Sequence, residues 1–176
     1  MKLLFASDLH GSNVCFQKFL VASRERSVDF AIIGGDVTGK SVVPIHRTGT
    51  DSYQAEFLER KREVHAGEEL LDLERDIADS GTYSIRIEQH NRRLLSPDGI
   101  PLKTLELELC KARLRSWLWW AKEEFAGSNT ELLWICGNDD PWEIDGFVRE
   151  AGVGVMRAVY LECDGTKVVS RQLISK

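Results

Sequence analysis

Acidic, imidazole and amide side chains gather in three short strings, Asp8-Leu9-His10, Gly34-Gly35-Asp36-Val37-Thr38-Gly39 and Gly137-Asn138-Asp139-Asp140. Carboxylate, imidazole and amide oxygen are donors that hold divalent cations, and a pair of cations held close together can cleave a phosphoester. Each string follows an apolar run of buried-strand length: Lys2 to Ala6, Asp29 to Ile33 and Glu131 to Cys136. The polar groups therefore fall just past the carboxyl ends of predicted strands, where open α/β sheets carry their chemistry.

The elements that must position these groups are legible in part. Residues 14 to 25 alternate apolar and polar at helical spacing behind a Ser12 or Asn13 cap, so the first forty residues read as strand, turn, helix, strand. Val42-Val43-Pro44-Ile45 and Tyr53-Gln54-Ala55-Glu56-Phe57 flank a Thr-Gly-Thr-Asp stretch, which predicts a hairpin, with Pro44 marking an edge strand. From residue 66 to about 126 the pattern is helical, with Leu70, Leu73 and Ile77 on one face and Leu107, Leu114 and Leu118 on another. Gly81, Pro97 and Pro101 divide this stretch into about three helices, an insertion of the kind that caps a cleft. Adjacent tryptophans point to different faces of a helix, so Trp117, Trp119 and Trp120 are expected to serve packing or partner contact rather than substrate stacking. Asp140 suits a helix N-cap, with Pro141 at the first helical position, Glu143 as the reciprocal cap and Gly152 as the stop; a catalytic role for Asp140 is the alternative. The tail reads as strands with a hairpin turning at Asp164-Gly165.

Composition bounds the answer. A chain of 176 residues, 43% hydrophobic and 29% charged, suffices for one sizeable core, and a net charge of −5 argues against a stable nucleic-acid complex. Cys15, Cys110, Cys136 and Cys163 are scattered with no zinc-knuckle spacing, which predicts reduced thiols in a cytoplasmic protein. The opening Met-Lys-Leu-Leu-Phe-Ala is too short for a signal or membrane segment before Asp8 and His10 interrupt it, and reads as the first strand.

In this order and at these strand ends, the three strings resemble the blocks D-x-H, G-D-x-x-[GD] and G-N-x-[DE] of the calcineurin-like metallophosphoesterase family. The resemblance spans nearly the whole chain, residues 1–176, apart from the helical insertion. It implies an α/β fold, part of a four-layer α/β/β/α sandwich, and a metal-dependent hydrolase of phosphodiesters or phosphomonoesters acting on a small-molecule substrate. It also implies that Asp8 and His10 hold one metal, that Asp36 bridges two, and that Asn138 holds the other. A bridging carboxylate between cations with neutral ligands outside preserves the Lewis acidity that activates water for in-line attack on phosphorus. Manganese, iron, zinc and nickel all suit such oxygen and imidazole ligands.

The chain departs from the family pattern at two places. Asp139 stands where many members carry a histidine that protonates the leaving oxygen, so Asp139 is the general-acid candidate and good leaving groups are favoured. The family's later histidine blocks have no counterpart, since no histidine follows His90; this leaves the second cation with Asp36 and Asn138 alone. Of the remaining histidines only His46 is near a site strand, and a solvated role is expected for it and for His65 and His90. Half of such a sandwich exposes one sheet face, which predicts a complementing carboxy-terminal half or a homo-oligomer. The alternative function is a non-catalytic scaffold that keeps the fold and binds a partner.

Overall fold

The computed structural model describes residues 1–88 and 101–150, together with the backbone of three further strands. In chain order the elements are β1 (Leu3–Ala6), α1 (Asn13–Glu25), β2 (Phe30–Ile33), β3 (Val42–Arg47), β4 (Ser52–Phe57), β5 (Arg60–His65) and α2 (Glu68–Asp79). There follow β6 (Tyr83–Ile87), α3 (Leu102–Glu124), β7 (Glu131–Trp134), α4 (Glu143–Glu150), β8 (Gly154–Val155), β9 (Val159–Cys163) and β10 (Val168–Gln172). The chain is thus mixed α/β. Among the described residues no helix is long and apolar enough to cross a membrane. The chain divides into two compact units, one of Met1–Leu9, Cys15–Val37 and Leu114–Lys176, the other of His10–Val14 and Thr38–Arg113.

The first unit is built on a parallel sheet in the order β1-β2-β7-β8. Parallel strands are covered on their faces and so read as continuous apolar runs, which explains why Phe-Ala-Ile-Ile and Leu-Leu-Trp are legible as strands. Ala31, Ile33 and Trp134 are fully buried. Phe16 of α1 stacks on Trp117 of α3 with ring centroids 4.2 Å apart and planes 4° from parallel. This packing role for Trp117 agrees with the sequence expectation, whereas Trp119 is exposed. The hairpin turn expected at Asp164-Gly165 and the helix stop at Gly152 lie outside the described residues, although the flanking β9 and β10 pair antiparallel.

The second unit is a mixed sheet in the order β5-β4-β3-β6, with α2 beside it. Tyr53, Ala55 and Phe57 alternate inward along β4 and meet Leu70, Leu73 and Ile77 of α2 in one apolar cluster. The expected hairpin of β3 and β4 is present, in register at His46 with Gln54 and Arg47 with Tyr53. Its edge assignment is corrected: β3 lies inside the sheet because β6 pairs with it in parallel, Pro44 opposite Ile85. Proline is tolerated there because the β3–β4 register reaches only His46 and Arg47, so the stretch around Pro44 has a ladder on one side.

The helical insertion expected at 66 to 126 is also corrected. Two helices, α2 and α3, occupy its described residues, and between them Tyr83–Ile87 forms β6, a strand whose Tyr-Ser-Ile-Arg-Ile buries Tyr83 and Ile87. Pro97 lies outside the described residues. Gly81 does mark a break, closing α2 with φ +89°, and Pro101 stands just before α3, where its carbonyl accepts from the Thr104 and Leu105 amides.

Candidate metal centre

Two loops leave neighbouring parallel strands of the first unit and stay in contact beyond them. The Gly34 amide donates to the Ala6 carbonyl (2.7 Å) and the Asp8 amide to the Gly35 carbonyl (3.0 Å), extending the β1–β2 ladder into the loops. Leu9 is buried and anchors the first loop, leaving Asp8 exposed and His10, the residue after it, half-buried. Asp8, His10 and Asp36 all adopt left-handed backbone conformations, with φ of 58°, 44° and 50°. Such conformations cost on the order of 1–2 kcal/mol each in a non-glycine residue, and they collect where a site is under constraint. One ligand atom from each of Asp8, His10 and Asp36 lies within 4.8 Å of the others, and among the described residues this is the one such grouping of histidine, cysteine and acidic side chains.

The third loop is fitted to the second by glycines. A Cβ on Gly137 would lie 2.0 Å from Asp36 Oδ1 and 2.3 Å from the Asp36 amide nitrogen, and one on Gly35 would lie 2.8 Å from the Gly137 Cα. Only hydrogen fits between these backbones. The Asp139 amide donates to Asp36 Oδ1 (3.2 Å), fixing that carboxylate's direction. Asp139 itself is exposed, and the exposed Asn138 donates from its side-chain amide to Asp139 Oδ1 (3.3 Å).

Asp140 has a structural part that neither sequence reading named. Its carboxylate accepts the Val37 amide (2.9 Å to one oxygen and 3.2 Å to the other) and the Gly137 amide (2.8 Å), strapping the second loop to the third. Helix α4 starts three residues later, with the Ile144 amide on the Pro141 carbonyl (3.1 Å) and the Asp145 amide on the Trp142 carbonyl (3.3 Å).

Two carboxylates and one imidazole form a donor set that suits a divalent cation of the manganese, iron, zinc or nickel type, and three protein ligands leave positions for water. The Asp139 amide and the close approach of Gly137 hold the Asn138 loop against the Asp36 carboxylate. Cys136, just before that loop, lies outside the grouping; burial, and then its hydrogen bond with Asp145, pushes the thiol above its ordinary range. His46 on β3 and His65 on β5 are exposed and outside the grouping, as expected, and His90 lies outside the described residues.

Sequence reasoning missed Arg113 and Tyr83, which hold the chain just beyond His10. Arg113 donates to the carbonyls of Gly11, Ala78 and Thr82, and the Tyr83 hydroxyl accepts the Gly39 amide (2.9 Å). No local signal marks them, since an arginine within an amphipathic helix and a tyrosine opening a strand are ordinary. Neither a protein-family model, nor a curated protein, nor a solved structure matches this chain.

Proposed function

We propose that the chain is a metal-dependent phosphoesterase whose first cation is held by Asp8, His10 and Asp36, with Asp36 and Asn138 serving a second. The observation that carries this reading is the convergence of Asp8, His10 and Asp36, each left-handed and each at the end of a strand loop, on a space the size of one cation's ligand shell. Divalent cations bound there supply Lewis acidity for attack of water on phosphorus. The protein's own part is positional: Gly35 and Gly137 let the loops close, the Asp139 amide orients Asp36, and Asp140 fixes the spacing of the second and third loops. Exposed Asp139 stands at the place of the candidate general acid for the leaving oxygen, and leaving groups that need no proton depend on it least. In this reading the parallel sheet of the first unit is one sheet of the family's four-layer sandwich.

The test is manganese-dependent hydrolysis of an activated aryl phosphodiester by the purified chain beside Asp36→Asn. The variant keeps an oxygen to accept the Asp139 amide, so its fold is retained while the anionic ligand is removed. Turnover that needs manganese and is lost in the variant is the expected result; equal turnover in both rejects the reading.

A further inference from the structure

We propose that Arg113 is a positioning residue for the metal ligand His10, acting through the backbone that follows it; the inference rests on the metal reading above. The geometry lies wholly within the second unit. Three glycines, Gly11, Gly39 and Gly81, meet there backbone to backbone. A Cβ on Gly39 would lie 2.0 Å from the Gly81 carbonyl oxygen, one on Gly11 2.7 Å from both the Gly39 nitrogen and the Gly81 oxygen, and one on Gly81 2.1 Å from the carbonyl oxygen of His10 itself. The main chain at His10 is thus seated on the turn that closes α2.

That seat is held by side chains that take up α2's terminal carbonyls, which have no partner within the helix. Ser12 Oγ donates to the Asp79 carbonyl (2.6 Å). Arg113 Nη1 donates to the Gly11 carbonyl and to the Ala78 carbonyl (3.2 Å), and Nη2 to the Thr82 carbonyl (3.1 Å). The guanidinium lies 5.1 Å from the centre of the Tyr83 ring, whose hydroxyl accepts the Gly39 amide. One planar fork therefore joins the residue after His10 to both sides of the α2–β6 turn. A lysine head group at this place, a single point donor, does not span the same three carbonyls. Since His10 has φ +44°, its left-handed backbone persists only where its surroundings over-determine it, and Arg113 supplies that constraint. Outer groups that orient ligands typically account for about tenfold to a hundredfold of metal affinity.

The experiment compares Arg113→Met and Arg113→Lys with the unaltered chain by two readouts. In the metal-free protein, amide NMR signals of His10, Gly11 and Gly39 are followed; both variants are expected to shift or broaden them while the signals of β4 and β5 stay in place. Manganese titration by electron paramagnetic resonance is expected to show about tenfold or more weaker binding in Arg113→Met, with Arg113→Lys in between. If Arg113→Met does not fold, Arg113→Lys carries both comparisons. Unchanged His10 and Gly11 signals in a folded variant, or unchanged manganese affinity beside an unaltered chain that binds, overturn the proposal. An unaltered chain that binds no manganese overturns the metal reading instead, and the metal-free signals still decide whether Arg113 sets the His10 backbone.

Discussion

At the scale of single residues, the candidate centre combines strain with like charge. Ligand oxygens of Asp8 and Asp36 lie within 4.8 Å of each other, so without a cation each carboxylate disfavours its neighbour. Removing one charge by Asp36→Asn is therefore expected to leave the metal-free melting temperature unchanged or raised. Manganese should raise the melting temperature of the unaltered chain, because a ligand of the folded state stabilises it, and should not raise that of Asp36→Asn. Calorimetry with and without manganese checks both signs, and a variant less stable in the metal-free state would show that the carboxylate is structural. Asp140 calls for the opposite outcome. Its carboxylate satisfies the amides of buried Val37 and half-buried Gly137, and Asp140→Ala leaves both without that acceptor. The cost expected is about 1–3 kcal/mol, with Asp140→Asn recovering part of it, read from urea unfolding. Unchanged stability in Asp140→Ala would return the residue to a purely chemical role.

At the scale of elements, what was legible depended on how each element earns its burial. The central strand β2 is readable because burial on both faces makes it apolar throughout. Strands β1 and β7 are readable because their short runs are apolar, although β1 leaves Leu3 and Phe5 exposed, and the site loops follow from where those runs stop. By contrast β5, Arg-Lys-Arg-Glu-Val-His, is an edge strand that buries only Val64, and charges along an edge are what keep it from pairing with other chains. Five residues of β6 were lost inside a long helical pattern. The Asp140 strap and the Arg113 fork were illegible for another reason: their partners Val37 and Gly11 lie 103 and 102 residues away, and no spacing encodes such a contact. The β4–β5 turn was missed with β5, and it carries an avoidable cost. Leu58 and Glu59 form its two-residue tip with φ of 51° and 60°, conformations that hairpin tips usually give to Asn-Gly. Leu58 is 72% exposed, so little packing is lost on replacing it. The double change Leu58→Asn with Glu59→Gly is expected to stabilise by about 1–2 kcal/mol, seen as a melting temperature raised by a few degrees. A lower melting temperature would mean that the leucine at the tip has a contact of its own.

At the scale of the whole molecule, each unit holds an acid whose neutral form the fold prefers, and the two act in the same direction with pH. In the first unit the Cys136 thiol is pushed above its ordinary 9.0 by burial and by Asp145. In the second, burial above all pushes the Tyr83 phenol above its ordinary 10.0, followed by Cys110. A group that holds its proton more tightly when folded contributes its full stability below the unfolded value and loses it as pH rises toward the folded one. Between those values the unfolded chain has released the proton and the folded chain has not, so unfolding stability falls with rising pH. One fully coupled proton gives a slope approaching about 1.4 kcal/mol per pH unit. Tyr83, almost completely buried, should come near that limit, whereas solvent screening at half-buried Cys136 reduces its share. Urea unfolding from pH 7 to 11 is therefore expected to be insensitive to these two groups up to about pH 9, and then to decline in two overlapping steps. Cys136→Ser, whose hydroxyl does not titrate in this range, should remove the earlier step. Tyr83→Phe should remove the later one while lowering stability at every pH, since it also takes away the acceptor of the Gly39 amide. An alkaline decline that persists in both variants would place the titrating groups elsewhere in the chain.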